Sequence, residues 1–263
     1  MSGNGYVIDN WGLLVALLMV AVAALVSELM CISIGKTLMW SAIRALVQLC
    51  VMGVIIGYVI RSNNPWLVFG VIAVMLVAAV QITLSRAKGI PKGLAGPVLL
   101  SLVITMLLMI SLVTELVVRP HPWYAPQLVV PLTGMLLGNT VSALAVGLSR
   151  FYESMNERRD EVDTLLALGA TLWEAARPSI VSSIRLGLLP TTASLASSGI
   201  VTIPGMMAGQ VIAGGDPLNA AKYQFVVLDA IAALTLLADG LIMVMIYRTC
   251  FTADDQYRPP EAR

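Results

Sequence analysis

Seven long apolar runs dominate the chain, and each is about the 20 residues that a helix needs to cross a bilayer. None shows the apolar and polar alternation of barrel strands. Backbone groups in hydrocarbon need partners within their own segment, so these runs predict spanning helices. The first run lacks the basic segment and cleavage site of a secretory signal, and we expect it to be retained. The predicted spans are residues 11–31, 38–60, 66–85, 97–118, 128–148, 186–213 and 223–247.

The sixth run differs from the others because prolines interrupt it. Pro190 and Pro204 lie within it, and residues 205–215 are rich in glycine and alanine. Proline removes a backbone donor and clashes with the preceding turn, so we predict a broken or re-entrant helix here. The chain is therefore predicted to be an all-α membrane protein, a bundle of about seven transmembrane helices forming a single domain over residues 1–263.

Lysine and arginine residues are distributed unequally between the two sides of the predicted bundle. Cytoplasmic loops retain positive charge, so the richer side is predicted to be cytoplasmic. The amino terminus then lies outside and the carboxyl terminus inside, as an odd number of spans requires. The richer side holds Lys36, Arg86, Lys88, Lys92, Arg150, Arg158, Arg159, Arg177, Arg185, Arg248, Arg258 and Arg263, and the other holds Arg61, Arg119 and Lys222.

Composition and motifs exclude several classes of function. Apolar residues make up 58% of the chain and charged residues 12%, against about 45–50% and about 25% in soluble domains. The net charge of +1 provides no field to attract nucleic acid. The three cysteines form no CxxC pair, so no zinc site is predicted. The phosphate-binding sequence G-x-x-x-x-G-K-[ST] is missing, so this chain cannot hold ATP by that route.

The longest hydrophilic stretch, residues 149–185, lies on the predicted cytoplasmic side. Residues 153–168 predict a helix that stops at Gly169, because glycine tolerates the left-handed conformation of a helix end. Thr171 and Glu174 have capping-box spacing and predict a second helix. Their apolar corner suits a groove on another protein, while an ordinary connector packed on the bundle is an equal alternative. The residues of this corner are Leu165, Leu166, Leu168, Gly169, Ala170, Thr171, Trp173 and Glu174.

Polar residues inside the spans are candidates for a pathway, because a polar group in hydrocarbon is costly and tends to face the bundle interior or water. Arg44 and Gln48 share one helix face, although Arg44 can instead snorkel to the interface. Asp229 and Asp239 are ten positions apart, which places them on different faces and argues against a paired-carboxylate site. The predicted pathway residues are Arg44, Gln48, Asn139, Met206, Met207, Gln210 and Asp229.

Two further patterns concern methionine and glycine. The adjacent thioethers of Met206 and Met207 are candidate ligands for a soft metal ion, with core filling as the alternative. Glycines four residues apart predict close packing between helices. These small-residue ladders are Gly53 with Gly57, Gly134 with Gly138 and Ser142, and Gly205 with Gly209.

Several segments, taken in order along the chain, resemble the Fet-type iron-export permeases (FetB). Residues 203–217 read IPGMMAGQVIAGGDP, and Ala220, Lys222, Tyr223 and Gln224 follow them. Residues 131–139 read PLTGMLLGN, residues 44–49 read RALVQL, and the corner at 168–171 reads LGAT. The likeness covers most of the chain, with a similar length and span pattern.

The resemblance implies the permease half of an ABC transporter in the cell inner membrane. Such a chain would export metal ions, iron in particular, would bind no cofactor and would not itself be an enzyme. ATP and Mg²⁺ would be held by a separate ATPase subunit docked at the corner, and the permease would form a homodimer. The corner only loosely matches the E-A-A-x-x-x-G loop of importers, since Asp163, Thr164 and Leu165 replace its first three residues.

Three alternatives remain open at this stage. Plant relatives of the family, the aluminium-sensitivity half-transporters, are linked to aluminium tolerance and to a nucleotide-sugar substrate. The first alternative is therefore an exporter of another solute. A subunit that couples the same ATPase to signalling or mechanical work, without moving solute, is the second. A secondary transporter is the third, although an internal repeat and a denser carboxylate network would be expected for it.

Overall fold

Helices account for the regular elements of the residues that the computed structural model describes, 9–252 and 254–258. A π-helical turn, Val113–Val118, extends the fourth helix, and a 3-10 turn, Tyr247–Cys250, extends the ninth. The all-α prediction is confirmed. The helices are α1 Asn10–Leu29, α2 Gly35–Ser62, α3 Pro65–Arg86, α4 Ala95–Leu112, α5 Pro126–Glu157, α6 Arg159–Ala167, α7 Leu172–Ser197, α8 Gly205–Ile212 and α9 Pro217–Ile246.

Six helical segments in the described part of the chain are long and apolar enough to cross a bilayer. They correspond to α1, α2, α3, α4 with its π-helical turn, α5, and α9 with its 3-10 turn. These six match six of the seven predicted spans. The chain is therefore a multi-pass membrane protein.

The remaining predicted span, residues 186–213, is broken, as expected from its composition. α7 ends at Ser197, α8 begins at Gly205, and the segment between them turns through Gly199 at a positive φ of 86°. The position of the break corrects the expectation, because Pro190 lies inside α7 and only Pro204 lies at the break, as the N-cap of α8. A left-handed turn at glycine, rather than the first proline, changes the chain direction.

The hydrophilic connection, residues 149–185, is mostly helical, as the two helices predicted within it imply. α5 continues to Glu157, and α7 begins at Leu172, well before the predicted start of the sixth span. Phe151 and Met155 near the end of α5 are fully buried, as are Ala175 and Ala176 near the start of α7. Because these ends pack on each other, both helices extend past the apolar runs that defined the spans.

α5 lies at the centre of the bundle and packs against α3, α7 and α9. Its side chains Leu136, Leu144 and Leu148 are completely buried. The hydroxyls of Thr140 on α5 and Thr235 on α9 lie 3.3 Å apart. Hydrogen bonds of this kind stabilise helix pairs in membranes by roughly 0.6–2 kcal/mol. The helix predicted to contain residues 128–148 is therefore the packing core of the molecule.

α1 and α2 lie at the periphery, and α1 packs mainly against α2. Their apolar side chains point largely outward, and Trp11 and Trp40 are exposed near the ends of these helices, with Trp66 at the start of α3. Tryptophan favours the membrane interface, which agrees with a bilayer around this surface. Such an apolar exterior is stable only in hydrocarbon.

The glycines of the predicted small-residue ladders do not pack within the described part of this chain, with one exception. A Cβ atom on Gly53, Gly57, Gly138, Gly205 or Gly209 would meet nothing within 4 Å, apart from the helix itself. Only at Gly134 would it meet a neighbour, the Cε atom of Met75 at 3.3 Å. These small residues mostly lie on outward helix faces, and spacing along one helix does not reveal which face is covered.

Several basic segments meet at one end of the bundle. The backbone N–H of Lys88, after α3, donates to Ser149 Oγ on α5 at 2.8 Å. The Trp173 ring at the start of α7 packs edge-on against Tyr247 at the end of α9, with centroids 5.5 Å apart. This end carries the corner, and its cytoplasmic location stays a prediction. Arg263, also counted for that side, lies outside the described residues.

Candidate functional site

The corner begins where α6 ends in a Schellman motif. Gly169 has a positive φ of 88°. Its N–H donates to the Leu166 carbonyl at 3.0 Å, and the Ala170 N–H donates to the Leu165 carbonyl at 3.0 Å. These two bonds satisfy carbonyls that a helix end otherwise leaves unpaired. The predicted glycine stop is confirmed.

α7 begins at the predicted capping box. Thr171 Oγ1 accepts from the Glu174 N–H at 3.3 Å, and the Thr171 N–H donates to Glu174 Oε2 at 2.8 Å. The Thr171 hydroxyl also donates to that oxygen at 2.8 Å. These donors hold the pKa of Glu174 below its usual value, because they favour the carboxylate form. Both ends of the corner are thus closed by local hydrogen bonds.

A short break at Arg158 separates α5 from α6 and ties the corner to the bundle. The Arg158 guanidinium donates to both carboxylate oxygens of Glu161, at 2.8 and 2.6 Å, and to Ser179 Oγ on α7 at 2.9 Å. The Arg158 bond lowers the pKa of Glu161. The helix predicted over residues 153–168 is therefore two pieces, since residues 153–157 complete α5.

The exposed apolar surface of the corner is narrow. Leu168 is 80% exposed at the turn and Trp173 is 40% exposed, whereas Leu165 and Leu166 are partly buried against the core. Gly169, Thr171 and Glu174 are exposed, and Ala170 is partly buried. The corner therefore presents Leu168 at the tip of the turn, with Trp173 partly exposed beside it.

The carboxyl-terminal segment folds back beneath the corner, a feature that the sequence analysis did not predict. Phe251 and Tyr257 form an isolated antiparallel bridge, and their rings lie 6.2 Å apart. Tyr257 joins the core that also contains Val162 of α6. Burial raises the pKa of Tyr257 to about 12. The segment after α9 thus joins the same hydrophobic core as α6.

A cavity of about 200 Å³ lies between α5, α7, α8 and α9. It contains two of the predicted pathway residues, Asn139 on α5 and Met206 on α8. The break between α7 and α8 opens this space, because Pro204 and Gly205 form part of the wall. Its lining residues are Met135, Asn139, Thr191, Ser194, Pro204, Gly205, Met206, Gln224, Leu228 and Ile231.

Gln224 is a wall residue that the list of predicted pathway residues does not include. Its side chain is 6% exposed, and its Oε1 atom has no hydrogen-bond partner. One N–H of the Asn139 amide donates to the Met135 carbonyl at 2.8 Å, and the Gln224 oxygen accepts no hydrogen bond from Asn139. An unpaired buried carbonyl is costly, so the Gln224 oxygen favours a ligand or water in the cavity. The sequence signal was its place in the 203–224 segment.

The polar groups that line the cavity are neutral. A thioether from Met206 and amide or hydroxyl groups from Asn139, Gln224, Thr191 and Ser194 line the space. In the described part of the chain, no group of three or more His, Cys, Asp or Glu residues is placed to hold a metal ion. This wall therefore offers a metal ion no anionic ligand.

The other predicted pathway residues are not in this cavity. Arg44 and Gln48 are exposed on α2, and Asp229 is exposed on α9. Met207 and Gln210, on α8, are partly buried but do not line the space. The single protomer thus brings Asn139 and Met206 together and leaves the remaining five apart.

Asp239 occupies a second buried position, at the contact of α9 with α5 and α7. Its side chain is completely buried, and neither carboxyl oxygen has a hydrogen-bond partner. A Cβ atom on Gly187 would lie 2.7 Å from Asp239 Oδ2, and one on Gly147 would lie 3.5 Å from Oδ1. Asp229 is exposed while Asp239 is buried, so the predicted separation of the two carboxylates on different faces is confirmed.

Comparison with known proteins places the chain in a family. The model of a family described as "Uncharacterised protein family (UPF0014)" matches residues 10–251. A UPF0014 membrane protein of Synechocystis sp. is 34% identical over 219 residues, covering 83% of this chain and 85% of that protein. The Escherichia coli K12 "Probable iron export permease protein FetB" is 29% identical, covering 96% of each chain.

A plant relative matches a smaller share of this chain than the two bacterial relatives do. The Arabidopsis thaliana "Protein ALUMINUM SENSITIVE 3" is 28% identical over 218 residues, covering 81% of this chain and 77% of the plant protein. No solved structure matches this chain. The resemblance drawn from the 203–217 and 131–139 segments is confirmed by these relatives. With its match over almost its whole length, and with six candidate spanning helices among the described residues, the chain belongs to the UPF0014 family of membrane proteins.

Proposed function

We propose that this chain is the permease subunit of an ABC transporter in the cell inner membrane and that it exports metal ions, iron in particular. The observation that carries the proposal is the corner, a rigid helical turn with Leu168 exposed at its tip. The name of the Escherichia coli relative supports iron as the substrate. ATP would be hydrolysed on a separate subunit, and this chain would bind no cofactor.

The geometry connects the corner directly to the cavity. α7 begins at the corner with Leu172 and continues as a 26-residue helix to Ser197. At 1.5 Å per residue it is about 39 Å long. Thr191 and Ser194 near its far end line the cavity. A displacement of the corner would therefore move one wall of the cavity, which is the mechanical link that ATP-driven transport requires.

The cavity would serve as the transit site, and its position supports alternating access. It lies where α7 breaks into α8, so a movement of α7 relative to α5 and α9 would open or close it. Unwound segments next to a broken helix are a common place for substrate sites in transporters. A second permease copy would complete the assembly, packing on the apolar faces that α1 and α2 leave exposed.

Docking of the ATPase can be tested with Leu168→Asp. We expect a charge at the tip to weaken co-purification of a P-loop ATPase with the tagged chain from native membranes by about tenfold, because a hot-spot apolar contact is worth about 1.4 kcal/mol or more. The matched control is Leu218→Asp at the start of α9, where the leucine is 65% exposed. Equal recovery of the ATPase with both variants would contradict docking at the corner.

The transit site can be tested by Fe²⁺ flux in vesicles containing the reconstituted complex. We expect Met206→Leu and Gln224→Leu to reduce flux severalfold, since each removes a donor from the cavity wall. Met207→Leu is the control, because the neighbouring methionine does not line the cavity. If flux is unchanged in the first two variants, the cavity is not on the pathway.

A further inference from the structure

Two larger cavities open side by side at the end of the bundle that carries the corner. Their volumes are about 780 and about 670 Å³, and Arg150 and Leu186 line both of them. We call the combined space the basic groove. Its basic residues are Arg86, Lys88, Arg150, Arg177 and Arg185, and its exposed apolar residues are Val146, Val181, Leu186 and Leu189.

Two of the cations are occupied by neighbours. Arg150 forms ion pairs with Glu153 at 3.1 Å and Glu157 at 3.2 Å. Arg86 donates to Ser142 Oγ at 3.2 Å. Arg150 is thus shared by two carboxylates, and Glu153 leaves part of its negative charge on the wall of the groove.

The two arginines on α7 have no such neighbours. Across residues 9–252 and 254–258, neither Arg177 nor Arg185 is in an ion pair or a side-chain hydrogen bond, and both are exposed. Eight residues rise about 12 Å along the helix and turn about 80° beyond two full turns, so the two side chains lie on adjoining parts of the helix surface, and both line the same cavity. The groove thus holds two unpaired guanidinium groups, which carry five N–H donors each.

Charge and apolar surface follow each other along α7. Arg177 lies nearest the corner, Val181 comes next, and Arg185 is followed by the exposed side chains of Leu186 and Leu189. The outward apolar strip continues from the basic part of the groove toward the middle of the bundle. A phospholipid in a leaflet presents the same order, with phosphate at the interface and acyl chains deeper.

We propose that the basic groove binds an anionic phospholipid, with its phosphate between Arg177 and Arg185 and an acyl chain along Leu186 and Leu189. Guanidinium groups match phosphate oxygens through paired N–H donors. Basic pockets between membrane helices commonly hold anionic headgroups. The lipid would contact α5 and α7 together, next to the corner. This site is separate from transport, and its test does not use transport.

The test uses the purified full chain in detergent and measures binding of phosphatidylglycerol and phosphatidylcholine with identical acyl chains by native mass spectrometry. Wild type is expected to prefer the anionic lipid by about tenfold, from attraction to two cations near a surface. Arg177→Gln with Arg185→Gln is expected to abolish that preference. The control is Lys92→Gln with Arg258→Gln, which removes the same charge outside the groove and should keep the preference.

Other results would overturn the assignment. If the double variant keeps the preference, or the control loses it equally, the groove is not the lipid site. If inorganic phosphate at millimolar concentration displaces phosphatidylglycerol, the ligand is soluble phosphate. If Leu189→Cys forms a disulfide between copies in lipid vesicles, a second copy covers the groove. Should the double variant not fold, each single variant is expected to lose part of the preference, and full retention in both would contradict the site.

Discussion

At the scale of single residues, Gly187 and Asp239 control how closely α7 approaches its neighbours. The carboxyl of Asp239 is buried without a partner, and Gly187 leaves the space that it occupies. Burial of an unsatisfied polar group is costly, so this junction depends on how tightly the three helices pack around the carboxyl. The small-residue ladders predicted from the sequence did not include Gly187 and so did not indicate this junction.

Gly187→Ala is expected to destabilise the protein by about 1–3 kcal/mol, as overpacking of a tight contact does. The added Cβ would lie 2.7 Å from Asp239 Oδ2 and 3.1 Å from the Ala143 carbonyl oxygen. The measurement is the thermal unfolding midpoint of the purified protein in detergent. Gly240→Ala on α9 is the control, because its Cβ would meet nothing within 4 Å apart from its own helix.

A double variant separates the clash with the Asp239 side chain from the clash with the Ala143 backbone. Adding Asp239→Ala to Gly187→Ala removes the closer neighbour and should restore part of the lost midpoint. A Gly187→Ala midpoint equal to that of Gly240→Ala would show that α7 has room to move away at this point.

At the scale of secondary-structure elements, α7 is the part that joins the candidate sites. It begins at the corner, supplies the free arginines of the basic groove, passes Asp239 and ends at the cavity. Its start depends on local capping bonds, whereas its length depends on burial against α5. Loss of the cap is therefore expected to loosen the corner while leaving the bundle intact.

The capping box should respond to pH in a defined direction. The pKa of Glu174 is lowered from 4.5, so its stabilising bonds are complete above that value and are lost as pH falls through the lowered pKa. Hydrogen exchange of the first turn of α7 should be slower in wild type than in Glu174→Gln at neutral pH, and the difference should shrink as pH falls through the lowered pKa of Glu174.

Thr171→Ala provides an independent measure of the same cap. Removal of the N-cap hydroxyl is expected to cost about 1 kcal/mol at the helix start and to raise exchange there at every pH. A pH-independent difference between wild type and Glu174→Gln would contradict the role of the carboxylate.

At the scale of the whole molecule, the unequal distribution of basic residues predicts which end faces the cytoplasm. Leu168→Cys is expected to react with a membrane-impermeant thiol reagent only from the cytoplasmic side, and Leu218→Cys only from the outside. Each is introduced into a chain in which Cys31 and Cys50, both exposed, are replaced by serine, while the buried Cys250 is retained. The reverse pattern of labelling in intact cells would show that the topology is the opposite of the predicted one and that the corner lies outside.

Features with a local physical cause were predictable from the residues. Hydrocarbon forces each apolar run to satisfy its own backbone, so the spans could be placed by length. The stop at Gly169 and the Thr171 cap depend on hydrogen bonds within a few residues, and both are present. The family resemblance likewise rests on contiguous segments.

Features that join distant segments depended on packing. Arg86 meets Ser142 across 56 positions, and Asn139 shares a cavity with Gln224. Periodicity states which residues share a helix face, but the face that is covered depends on neighbours from elsewhere in the chain. For that reason the spans, the break and the caps followed from the amino-acid order, whereas the cavity, the basic groove and the Asp239 junction emerged only when α3, α5, α7 and α9 packed together.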